Sequence, residues 1–113
     1  MVSTQQRPGR AALDDVAAEL CREPGVELAT MFRSPGLRVH ERIFAFLGHG
    51  PRLIVKLPRA RALELVAAGD AAVVTMGSRT MREWVEVPLG DGPDAAAVWR
   101  RLAREALEYV RGL

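Results

Sequence analysis

A single cysteine, Cys21, stands in 113 residues, so no disulfide can form within the chain. That composition suits a reducing compartment. Aromatic residues make up only 5%, and a core without them must be built mainly from Leu, Val and Ala. No apolar run approaches the roughly 18 residues that a membrane span needs. The segment Met1–Pro8 is polar and lacks the apolar centre of a signal peptide. A soluble cytoplasmic protein is therefore expected.

The absences extend to chemistry. No glycine-rich loop ends in Lys-Ser/Thr, and no dinucleotide fingerprint is present. Cys21 falls on the apolar stripe of a helix pattern, which predicts a buried small hydrophobe rather than a nucleophile. His40 and His49 sit in consecutive turns, and no further Cys or His completes a metal set around them. No catalytic residue, metal or cofactor is expected, and no small-molecule substrate is inferred.

What the chain does have is the size and apolar content of one globular domain, 49% hydrophobic and 27% charged. Net charge is only +2, but it is unevenly placed. Residues 33–61 hold seven basic side chains against one acid, Glu41, and the segments on either side are each −2. A basic middle of this kind is an electrostatic feature in its own right.

Periodicity divides the chain. Residues 1–9 read as a disordered arm, and 10–113 as a single domain. Leu13, Val16, Ala17, Leu20 and Cys21 recur at helical spacing, and Glu23-Pro24-Gly25 ends that helix. Residues 26–57 alternate as short strands separated by tight turns. That predicts an antiparallel meander, because parallel pairs need long crossovers. Pro58 suits a helix start, with Leu63 and Val66 as the expected core contacts and Gly69 as a left-handed terminator. A short strand near 71–75, a loop over 76–80 and a strand over 82–87 follow. Trp99, Leu102, Ala103, Ala106, Leu107 and Val110 then form the stripe of a final helix. On its outer side, Arg101–Glu105 and Arg104–Glu108 are spaced to pair one turn apart.

From Met31 to Val110 the chain resembles the TfoX N-terminal domain family, itself similar to the MmcQ/YjbR group. The resemblance is carried by Met31-Phe32, Gly36-Leu37-Arg38-Val39, Phe44-Ala45, Val55-Lys56-Leu57, Met81-Arg82-Glu83-Trp84-Val85, Trp99 and Glu105-Ala106-Leu107-Glu108-Tyr109-Val110. It implies an α+β fold with an antiparallel five- or six-stranded sheet and three helices mainly on one face. It also implies a regulatory role, here in a stand-alone domain. The chain departs from the family at turns, with Arg33 where glycine is usual, Glu41-Arg42 where Gly-Lys is usual, and Ser78-Arg79-Thr80 in a loop that usually carries more glycine and a proline.

Two kinds of site emerge. If neighbouring strands present Arg38, Arg42, Arg52 and Lys56 together, joined by Arg33, Arg79 and Arg82, a cationic surface results. Such a surface would bind nucleic acid or an acidic partner. Its rival is a solvated surface in which Glu83 and Glu86 pair across strands with these cations. The other site is apolar. Alternation places Trp84 opposite Val85 and Val87, and Phe44 and Phe46 opposite Ile43, Ala45 and Leu47. An outer sheet face carrying Phe44, Phe46, Ile54 and Trp84 would need a covering partner, either a second copy or another protein.

Overall fold

A computed structural model describes residues 8–31, 33–91 and 94–113. Within them the chain runs α1 (Pro8–Leu20), β1 (Val26–Met31), β2 (Ser34–Val39), β3 (Arg42–Leu47), β4 (Arg52–Lys56), α2 (Arg59–Ala67), β5 (Ala72–Met76), β6 (Arg79–Pro88) and α3 (Ala95–Arg111). The strands form one antiparallel sheet in the order β1-β2-β3-β4-β6-β5. The helices lie on one of its faces, so the α+β class and its layering are as predicted. Helix α1 already begins at Pro8, so Pro8 and Gly9 belong to the domain, while the rest of the expected N-terminal arm lies outside the described residues.

The core forms between helices and sheet. All six residues of the α3 stripe are buried, with Trp99 wholly so. They meet Leu13, Val16 and Leu20 of α1 and the inward rows Leu37/Val39, Leu53/Val55 and Val85/Val87 of the sheet. Large aliphatic side chains at these positions each contribute about 1.5–3 kcal/mol by leaving water.

Three expectations fail, each for a local reason. Cys21 lies one residue past the end of α1, at the rim of the stripe, and is exposed although its N–H still reaches the Ala17 carbonyl at 2.9 Å. On α2 the buried positions are Ala62 and Leu65; of the two expected contacts Val66 is half-buried against the core, but Leu63 is 58% exposed. The helix is rotated by about one residue from the expected face, a turn of about 100°. Its end is as predicted: Gly69 takes φ +82°, its N–H reaches the Val66 carbonyl, and the Asp70 N–H reaches that of Leu65. Thirdly, residues 76–80 are not an open loop but the tight β5–β6 turn with strand on both sides.

Phe44 is the largest correction. It is completely buried rather than on the outer face. Leu37 pairs with Ala45 but Arg38 with Ile43, so β3 carries one extra residue at Phe44. This bulge breaks the alternation and turns Phe44 and Ala45 both inward, leaving Phe46 outside.

The helices are stitched by arginines, though not along α3 as its spacing suggested. Arg104 donates to Glu19 at 3.0 Å and to Glu23 at 3.2 Å, Arg100 to Asp15 at 2.7 Å, and Arg61 to both oxygens of Glu105. Inter-helix partners win because the seam is partly shielded from water, which strengthens these contacts over exposed intrahelical pairs. The hydrogen bond from Arg104 holds the Glu23 carboxyl below its ordinary range, against the opposing effect of desolvation, with help from Arg111. A carboxyl depressed in the folded state stabilises it above the ordinary carboxylate range and loses that effect as pH falls through the folded value. Glu23→Gln is accordingly expected to lower the thermal midpoint at pH 7. The gap between variant and parent should close in melts taken at progressively lower pH, below the ordinary carboxylate range.

Candidate interaction face and its basic rim

Because the helices occupy one side, every second residue of the central strands projects from the other. Phe46 of β3, Ile54 of β4 and Trp84 of β6 meet there. Phe46 pairs with Ile54 and Lys56 with Trp84, and the rings of Phe46 and Trp84 are edge-on with centroids 5.7 Å apart. Phe46 leans over Gly36 on β2: a Cβ at that glycine would lie 2.7 Å from both the Phe46 Cβ and the Ala45 carbonyl oxygen. The absence of a side chain at Gly36 leaves room for β3 to approach this closely at Phe46. Each member of the strip is half-buried by its neighbours.

Around the strip, three of the seven cations expected to form a positive surface face carboxylates. Arg38 donates to Glu27 at 3.0 Å across β1–β2, and Arg52 to Glu86 at 2.8 Å across β4–β6. Lys56 stands 3.8 Å from Glu83 and 5.7 Å from the centroid of the Trp84 ring. Glu83 also accepts a hydrogen bond from the Tyr109 hydroxyl at 3.0 Å; partial burial first, and this bond second, push the tyrosine pKa up. The cross-strand arrangement with Glu83 and Glu86 is thus the one adopted, and Glu27, on the far edge strand, joins it. These partially exposed pairs are worth under about 1 kcal/mol each, but they set the sign of the face.

Arg33, Arg42 and Arg82 are exposed, with no carboxylate within 4.0 Å among the described residues. Arg33 takes φ +66° in the β1–β2 turn, Arg42 begins β3, and Arg82 lies on β6. They are therefore spread over turns and strands instead of forming a row. The side chain of Arg79 lies outside the described residues. Arg59, which strand alternation had no means of singling out, opens α2 beside Arg82 and Trp84 and lines a common cavity with them.

Although Cys21 is exposed, desolvation by its neighbours pushes the thiol up, the opposite of an activated nucleophile. His40 and His49 occupy turns at opposite ends of β3, so they are kept apart by the length of that strand. Among the described residues no three His, Cys, Asp or Glu side chains are grouped to hold a metal ion, and no helix is long and apolar enough to cross a membrane. No family model, curated protein or solved structure matches the chain.

Proposed function

We propose that this chain is a small, cytoplasmic, non-enzymatic binding module of the regulatory kind that the TfoX N-terminal resemblance implies. Its interface is the open face of the sheet, and a second copy of the chain is its first partner. The observation that carries this reading is the Phe46–Ile54–Trp84 strip on the face that no helix among the described residues covers. Aromatic anchors of this type concentrate binding energy at protein interfaces. The charges around the strip point the same way. Arg38, Arg52 and Lys56 are matched by Glu27, Glu86 and Glu83, giving a rim of both signs that suits a self-complementary two-fold contact.

Sedimentation velocity over a micromolar concentration series is the test. The parent chain is expected to dimerise. Phe46→Asp and Trp84→Asp should each remain monomeric while keeping the parent's circular dichroism. A parent that stays monomeric, or variants that still pair, would end the homotypic reading.

Nucleic-acid contact is the second reading, favoured by the exposed Arg33, Arg42 and Arg82 without carboxylate partners. A phosphate backbone draws its affinity from uncompensated cations and yields it to salt. Fluorescein-labelled duplex DNA, titrated with the same samples across a salt series, separates the two readings. Binding that falls steeply with salt and vanishes when Arg42 and Arg82 are reversed to Glu would support nucleic-acid contact over the homotypic one.

A further inference from the structure

We propose that the groove between α2 and the β5–β6 edge is a docking site for a short extended segment of a partner protein carrying carboxylates beside an aliphatic side chain. This site is separate from the strip on the open sheet face, although Trp84 borders both. Its origin is an irregularity in β6. Val73 pairs with Val85, but the next residue, Val74, pairs with Met81, so Arg82, Glu83 and Trp84 have no partner on β5. The sheet opens at that point and leaves a cavity of about 270 Å³ floored by Ala62, Val66 and Val85. That volume lies at the low end for small-molecule sites and suits one aliphatic side chain.

Two features say what should enter it. Leu63 and Val73, on opposite lips of the groove, are 58% and 48% exposed. Large aliphatic side chains left on both lips of an apolar cavity call for an apolar anchor. Beside them, Arg59 and Arg82 line both this cavity and the adjoining open depression by Lys56, Glu83 and Trp84, where Glu83 is engaged by Lys56 and Tyr109. Neither arginine has a carboxylate within 4.0 Å among the described residues, whereas Arg61, on the same helix, has both Glu64 and Glu105. The missing charge is therefore negative, and it belongs next to the anchor.

An extended conformation follows from position. Among the described residues β5 is the last strand of the sheet and pairs only with β6, so its outer edge can accept one more strand. A segment added there alternates its side chains, sending one set over Val73 toward α2.

The test uses fluorescein-labelled peptides and anisotropy with the full chain. The probes are Glu-Leu-Glu-Val-Glu-Leu, its lysine counterpart Lys-Leu-Lys-Val-Lys-Leu, and Glu-Ser-Glu-Ser-Glu-Ser. Only the first should bind, at least roughly tenfold more tightly than either other. Val73→Asp and Arg82→Glu, both at exposed positions and checked for folding by circular dichroism, should each weaken it by roughly tenfold or more. Phe46→Asp should leave it unchanged, which keeps this site distinct from the open face. Equal affinity for the three peptides, no binding, or no loss in the two groove variants would overturn the proposal. So would saturation by octanoate without peptide binding, or loss of a dimer on Val73→Asp, since those outcomes would assign the groove to a small amphipathic acid or to a second copy.

Discussion

Phe44→Ala is expected to destabilise the folded chain by about 3–5 kcal/mol, whereas Phe46→Ala, two residues further on, should cost about 1 kcal/mol. The difference is produced by the bulge. Phe44 is wholly buried among helices and sheet, so truncation leaves a cavity that surrounding side chains refill only in part. Phe46 is half-buried on the uncovered face and loses chiefly its edge-on contact with Trp84, worth about 0.5–1.5 kcal/mol. For a domain of ordinary stability the first loss approaches the whole of it. Urea denaturation of the two variants, compared at equal m-value, reads the difference directly. Equal costs would mean that β3 alternates without its extra residue. The same pair serves the proposed interface: Phe46→Ala should weaken self-association in a chain that still folds, which Phe44→Ala cannot do.

Glu41→Gly should raise stability by about 1 kcal/mol, while Glu41→Val should lower it by about 1–2 kcal/mol. Val39 pairs with Arg42, leaving His40 and Glu41 as the two central residues of the β2–β3 turn, at φ +50° and +69°. Both are thus left-handed, as a type I′ hairpin turn requires. That turn matches the twist of the flanking strands, so the sheet holds it even with two side chains that disfavour it. Glycine removes the steric cost at position 41, and a β-branched side chain increases it. His40 is a less profitable site for the same change. Its imidazole packs against Gly25, close enough that a Cβ there would lie 2.9 Å from the ring, so glycine at 40 would lose that contact. Thermal melts should show the midpoint of Glu41→Gly higher by on the order of 5 °C. An unchanged or lower midpoint would mean that the turn is not strained at Glu41.

Where a feature depends on a residue and its near neighbours, it is written in the sequence. The α3 stripe is legible because six apolar residues keep one helical period over more than three turns, and any neighbour would bury that face. The meander follows from turns too short for a crossover, and the end of α2 from a glycine where only a left-handed residue closes the helix. Regular alternation likewise places Ile54 and Trp84 opposite the buried Val55 and Val85. The remaining features are set by partners distant in the chain. The extra residue in β3 follows from pairing with β2, and it moves Phe44 from the proposed interface into the core. The face of α2 is decided by the sheet and α3, because a short helix with apolar residues at 62, 63, 65 and 66 can bury either pair. Arg38, Arg52 and Arg104 each had several carboxylates within reach by sequence, and only the packed strands and helices select Glu27, Glu86 and the Glu19–Glu23 pair. The groove beside β5 is likewise tertiary, since it opens where two strands lose register. Local spacing sets period and direction, but register, helix rotation and the choice of ionic partner are energies of contact between distant segments, and those exist only once the chain has folded.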